Sequence, residues 1–127
     1  GQVFRYTPGP ERAGGGALVL EYEVRDRTIL SSPDNLTVAP WGDLVLAEDN
    51  YDGENGADHQ HIRAMTSKGE IYNIARNRNN QVSDGSPGAE FTGVCFSPDG
   101  AVLFANLQRP EQLTVAITGP WENLRKE

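Results

Sequence analysis

The chain has 127 residues, which is enough for one domain with its own hydrophobic core. Its formal net charge of −7 argues against a nucleic-acid partner, because the phosphates of nucleic acids would be repelled. No stretch approaches the roughly 20 apolar residues of a membrane span, and the first residues contain neither the charged leader nor the apolar run of a signal peptide.

Short strands follow one another along the whole chain, and no segment has the 3.6-residue period of a helix. Loops rich in Gly, Pro, Asn or Asp are predicted at 8–16, 49–58 and 76–88. The predicted strands are 2–6, 17–24, 36–39, 44–47, 61–66, 70–75, one on each side of a turn at 97–100, and 113–117. The sequence therefore predicts an all-β fold.

Two segments of the chain, 33–48 and 91–106, are near-copies that align without a gap. The alignment places Pro40 on Pro98 and Gly42 on Gly100, so each copy is predicted to be a strand, a turn and a second strand. A unit that recurs at a fixed offset indicates a repeat architecture. The all-strand character favours the antiparallel blades of a β-propeller.

A propeller blade takes about 40–50 residues, so the chain holds about two and a half blades. We expect a single partial propeller domain. Its parts are the outer strands of one blade (1–33), a complete blade (34–88), most of a further blade (89–121) and a tail (122–127). Because a ring needs more blades, the missing ones would come from the rest of a longer protein or from a homo-oligomer. A trimer would supply about six blades.

Acidic residues are unevenly distributed in the sequence. Between Arg27 and Arg63 there are seven Asp and Glu residues but no Lys or Arg. Such a patch is typical of a solvated loop, and it is equally the composition of a hard-cation site, since Ca²⁺ is bound by six to eight oxygens. The sequence leaves both interpretations open.

Five residues are candidates for metal ligands because of where the strands place them. Asp34 and Asn35 enter the first strand of the predicted blade, and Glu90 enters the corresponding strand of the second copy. In a propeller these segments converge on the mouth of the central channel. Glu48 and Asp49 end the next strand. Asp and Asn also cap turns, which is the structural alternative for these positions.

Other motifs add no catalytic residue. The chain contains no Gly-x-Ser-x-Gly, Walker or dinucleotide-binding motif, so the catalytic residues stay unassigned. His59 and His61 are expected at the surface of a strand start, because two histidines alone do not make a zinc site. The single cysteine, Cys95, lies between Val94 and Phe96 and is expected to be a buried, inert thiol.

Several segments of the chain match, in the same order, the motifs of one known family. They are 32–36, 46–49, 69–72, 75–77, 90–93, 96–100, 103–104 and 117–121. These motifs resemble the PhoX-type alkaline phosphatases, which are secreted bacterial enzymes with a divergent propeller fold. The resemblance covers nearly the whole chain, which would correspond to the C-terminal portion of such an enzyme. One departure is the segment 108–111, Gln-Arg-Pro-Glu, where the family tends to have a Gln-His-Pro-Gly type of sequence.

The resemblance implies a calcium-dependent phosphomonoesterase with an iron–calcium cluster, exported to the periplasm or the medium. Its substrate would be a small phosphate ester. The carboxylates that match its motifs are Asp34, Glu48, Asp49 and Glu90, whose implied role is to hold cations. The family's iron-binding cysteine belongs to its N-terminal half, so Cys95 does not inherit that role. Because most cluster ligands would lie outside this chain, we expect the chain alone to be inactive.

Two other functions are compatible with the same sequence. A gluconolactonase-like propeller hydrolase also binds calcium through acidic and Asn side chains, and it would cleave lactones instead of phosphate esters. A non-enzymatic interaction module would show no dependence on metal. Its activity would not change on replacement of Glu90.

Overall fold

The computed structural model describes residues 1–10, 14–49, 60–77, 90–108 and 112–124. Nearly all of the acidic loop 49–58 and of the polar loop 76–88 lies outside these ranges. Within them the chain forms nine strands and one short 3-10 helix, Trp121–Leu124. The strands are β1 (Gln2–Pro8), β2 (Gly16–Glu23), β3 (Pro33–Val38), β4 (Leu44–Glu48), β5 (His61–Met65), β6 (Ile71–Arg76), β7 (Phe91–Phe96), β8 (Val102–Leu107) and β9 (Leu113–Thr118).

The nine strands form three antiparallel sheets in which neighbours in sequence are neighbours in space. The sheets are a two-stranded ribbon (β1–β2), a four-stranded sheet (β3–β4–β5–β6) and a three-stranded sheet (β7–β8–β9). The all-β prediction is confirmed. No helix among the described residues is long and apolar enough to cross a membrane.

The two near-copies form equivalent hairpins, β3–β4 and β7–β8. Gly42 and Gly100 lie in the turns with φ of 99° and 72°, a region that glycine enters without steric cost. Asp99 stabilises the second turn, because its Oδ1 accepts hydrogen bonds from the Ser97 hydroxyl at 2.6 Å and the Ala101 N–H at 3.0 Å. The predicted turn at 97–100 is therefore a structural element.

The four-stranded sheet is the central layer, since both of its faces are covered. Alternate residues of β4 point to opposite faces. Val45 and Ala47 belong to the core shared with the three-stranded sheet, whereas Leu46 belongs to the core under the ribbon. Strand β7 lies against β3 and β4, so the starts of β3 and β7 are brought close together.

Three aromatic rings pack together at the turn end of the core between the four-stranded and three-stranded sheets. Trp41 and Trp121 stack with centroids 5.6 Å apart, and Phe96 meets both rings edge-on at 5.5 and 5.9 Å. The Trp121 indole donates to the carbonyl of Ala101 at 2.8 Å. These contacts fix the 3-10 helix against the β7–β8 hairpin.

Cys95 is exposed, so the prediction of a buried thiol was wrong. The neighbouring Val94 faces the core instead. A register irregularity between Thr92 and Cys95, with Gly93 at φ 64°, changes which residues of β7 point inward. Simple alternation along the sequence does not reveal such a bulge.

Candidate metal centre

Three carboxylates meet at the end of the sheets opposite the turns. Asp34 lies at the start of β3, Asp49 directly follows β4, and Glu90 directly precedes β7. One ligand oxygen from each side chain can be chosen so that all lie within 4.8 Å of one another. The sequence predicted each residue as a ligand, and the fold brings these three together.

The backbone fixes this arrangement. Strands β3 and β4 pair with Pro33 opposite Glu48, and the register shifts between Pro33 and Asn35, so Asp34 lies at an irregularity in this end of the strand pair. The Asp49 N–H donates to the Ser32 carbonyl at 3.0 Å. The carbonyl of Glu90 accepts from Gln108 N–H at 3.2 Å, so its position follows from the β7–β8 hairpin.

The electrostatics of the three carboxylates favour a cation. Burial, and then the negative charge of Asp49, raise the pKa of Asp34 above its ordinary value. A cation between the side chains would relieve that repulsion. Two oxygens on opposite sides of a Ca²⁺ ion, each about 2.4 Å away, would be about 4.8 Å apart. Oxygens within 4.8 Å of one another can therefore share one divalent cation, with water or other groups needed to complete its shell.

Asn35, the fourth candidate, connects the two sheets that carry the carboxylates. Its side-chain oxygen accepts a hydrogen bond from the Val94 N–H at 3.1 Å. This bond joins β3 to β7 one residue away from Asp34. The Asn35 side chain thus ties β3 to β7, the two strands whose starts carry Asp34 and Glu90.

Glu48, the fifth candidate, is buried with 1% of its surface exposed. Its Oε1 accepts from Ser31 N–H at 2.9 Å and from Arg63 Nε at 3.1 Å. Its Oε2 accepts from the backbone N–H of His61 at 3.1 Å and lies 2.9 Å from the His61 ring Nδ1. Both oxygens are engaged by the protein itself, and Glu48 lies outside the group of three carboxylates.

The sequence analysis did not predict that His61 and Arg63 are the partners of Glu48. The side chain of His61, expected at the surface, is only 13% exposed; His59 lies outside the described residues. Burial and the charge of Arg63 lower the pKa of His61, although Glu48 opposes the shift. Arg63 also donates to the Thr28 carbonyl at 3.2 Å and to the Asn73 side chain.

A sequence signal for this network did exist. Arg63 stands between Ile62 and Ala64, and a charge inside an apolar strand is expected to have a buried partner. Its partner is Glu48 because Arg63 pairs with Leu46, two residues before Glu48 on the same face of β4.

The comparison with known families agrees with this geometry. The family model described as alkaline phosphatase PhoX matches residues 1–111 of the 127-residue chain. No curated protein and no solved structure matches the chain. The family implies metal dependence, and Asp34, Asp49 and Glu90 provide an acidic cluster that could supply it. The chain belongs to the PhoX alkaline phosphatase family.

Proposed function

We propose that this chain supplies part of the metal site of a calcium-dependent phosphatase that hydrolyses small phosphate monoesters. The observation that carries the proposal is the convergence of Asp34, Asp49 and Glu90 within 4.8 Å in a member of the PhoX family. Three negative charges would repel a phosphate ester on their own. Their proximity is useful for this reaction only with a cation between them.

When bound, the cation would neutralise the phosphate ester and lower the pKa of a coordinated oxygen nucleophile. The residues of the chain position its ligands. Asn35 holds β3 against β7, and Glu48 fixes the end of β4 against β5, so that Asp49 is presented next to Asp34. Carboxylates suit Ca²⁺, Mg²⁺ and Mn²⁺; iron would need ligands from elsewhere in the protein.

The same proposal includes the architecture around the site. Three antiparallel sheets stacked face to face, with a central four-stranded sheet, are what successive propeller blades would look like. The four-stranded sheet would be the complete blade of the predicted 34–88 unit. The remaining blades would come from the rest of the protein or from further copies of the chain. Export to the periplasm or the medium belongs to the same proposal.

Calorimetric titration of Ca²⁺ into chelator-treated protein tests the site. We expect saturable binding that is lost in Glu90→Gln and in the double variant Asp34→Asn/Asp49→Asn. Glu23→Gln is the matched control, because Glu23 is exposed on the ribbon and bonds only to Gln2 among the described residues. Calcium should also raise the melting temperature, since binding to the folded state stabilises it by about 2.7 kcal/mol at 100 times Kd.

Phosphatase assays then test the reaction. We expect the chain alone to be inactive toward p-nitrophenyl phosphate, and a longer protein containing it to be active with Ca²⁺. In that protein Glu90→Gln should abolish turnover. Absence of saturable calcium binding, or equal binding by the Glu90 variant, would contradict the proposed site. Hydrolysis of a lactone instead of the phosphate ester would contradict the proposed reaction.

A further inference from the structure

A cavity of about 620 Å³ lies at the end of the four-stranded sheet away from the three carboxylates. The five residues of β4 separate the two ends by about 17 Å, at 3.4 Å per residue. Ligand pockets in proteins have volumes of about 300–1,000 Å³. The β3–β4 turn, the β5–β6 hairpin, the start of β6 and the 3-10 helix all line the cavity, most importantly through Trp41, Asp43, Ser67, Lys68, Glu70 and Tyr72.

One wall of the cavity is a fixed network around Asp43. Its Oδ2 accepts hydrogen bonds from the Tyr72 hydroxyl at 2.6 Å and from the Trp41 indole at 3.1 Å. Burial, and then the bond to Asp43, raise the pKa of Tyr72 to about 12, so this hydroxyl stays a donor at neutral pH. The other oxygen, Oδ1, accepts no hydrogen bond from the described part of the chain.

The opposite wall is the β5–β6 hairpin. The Thr66 hydroxyl accepts from the N–H groups of Lys68 at 3.3 Å and Glu70 at 3.2 Å, which fixes the turn. The Ser67 hydroxyl and the Lys68 ammonium make no side-chain hydrogen bond to the described residues. The Glu70 carboxylate has a single long contact, 3.4 Å, to Thr66. The Glu70 carboxylate can therefore accept further hydrogen bonds from a ligand.

These groups select a class of ligand. Among the lining residues that the structure describes, two carboxylates and one ammonium give a net negative charge, which disfavours a phosphate ester or another anion. The carboxylates and the Ser67 hydroxyl accept hydrogen bonds, whereas Lys68 and Ser67 donate them. Trp41 and Leu124 provide apolar surface for a C–H face. A ring with several hydroxyls on one side and C–H groups on the other matches this combination.

We infer that this cavity binds a neutral polyhydroxylated ligand, namely the ring of a sugar. The inference does not depend on the proposed metal site, because the two lie at opposite ends of β4.

Nuclear magnetic resonance on the full chain in the presence of a chelator tests the inference. The chain has two tryptophans, so two indole N–H signals are expected, one from Trp41 beside the cavity and one from Trp121 bonded to Ala101. The probes are methyl glucoside, methyl galactoside and N-acetylglucosamine. Inorganic phosphate and glucose 6-phosphate are the anionic controls.

We expect at least one neutral sugar to shift the Trp41 indole signal and the Glu70 amide signal saturably. Asp43→Asn and Glu70→Gln should each weaken that binding by about tenfold, and Glu23→Gln should leave it unchanged. Ser67→Ala provides a further variant that leaves the core untouched, should Asp43→Asn fail to fold. Failure of all three sugars to shift these signals in the folded chain would overturn the inference. So would tighter binding of the phosphorylated probe or unchanged binding in Glu70→Gln.

Discussion

Replacing Glu48 by Gln separates its structural role from a metal-binding role. Glu48 accepts from the Ser31 N–H, the Arg63 Nε and the backbone N–H of His61, lies 2.9 Å from the His61 ring Nδ1, and is 1% exposed. Gln keeps one acceptor oxygen but turns an amide toward donors, and it leaves the charge of Arg63 without a carboxylate. Breaking a buried ion pair costs about 3–5 kcal/mol. Because Arg63 keeps Thr28 and Asn73 as partners, we expect the lower end, about 3 kcal/mol.

Thermal unfolding followed by circular dichroism measures this loss. For a chain of this length, about 3 kcal/mol corresponds to a fall in Tm of about 10 °C. The fall should appear in full in a chelator, because the buried ion pair does not involve calcium. Glu90→Gln should behave in the opposite way, with little loss in the chelator but loss of the calcium-dependent gain. A Glu48→Gln protein that melts normally in chelator and loses only the calcium effect would refute the structural assignment.

A double-mutant cycle with Arg63→Met provides the matched control. Removing both partners of a buried pair is often less costly than removing one, because no uncompensated charge remains. We therefore expect the Glu48→Gln/Arg63→Met variant to be more stable than the sum of the single changes predicts. Strict additivity would show that the pair is not coupled.

Leu103→Ala should destabilise the chain by about 3 kcal/mol in urea unfolding, because Leu103 is fully buried between two sheets and its removal leaves a cavity. Leu113→Ala, at a half-exposed position, should cost less than about 1 kcal/mol. Equal losses in the two variants would contradict the described packing. In absorbance titration at 295 nm, Tyr72 should ionise near pH 12, and this component should be missing in Tyr72→Phe. Since its folded pKa is raised, Tyr72 stabilises the fold fully below pH 10 and loses this contribution as the pH rises toward 12. Ionisation of Tyr72 near pH 10 would contradict its burial and its bond to Asp43.

Most strands could be predicted from the sequence because their signals are local. The apolar segments and the Gly42 and Gly100 turns define hairpins without reference to distant residues. The ends of the strands were predicted less accurately. Strand β3 begins at Pro33 instead of residue 36, because its start is decided by pairing with Glu48 across the sheet. The exposure of Cys95 depends on a bulge that has no composition signature.

The candidate site was only partly predictable. Position at strand ends identified Asp34, Asp49 and Glu90, since antiparallel strands in register bring their ends together. The same reasoning also named Glu48. Glu48 and Asp49 are adjacent, however, and successive side chains on a strand point to opposite faces of the sheet. The register of β4 with β5 turns its side chain toward Arg63 and away from the three carboxylates.

The sequence alone determined the all-β class, the repeated hairpin and the membership of the PhoX family, because these depend on short-range patterns and on motif order. The tertiary structure alone decided which carboxylates meet, which one is buried against an arginine, and where a cavity opens at the opposite end of the sheet. Those outcomes depend on sheet stacking and strand register, which join residues far apart in the chain. A single residue of register separates a side chain at the metal centre from one in the core.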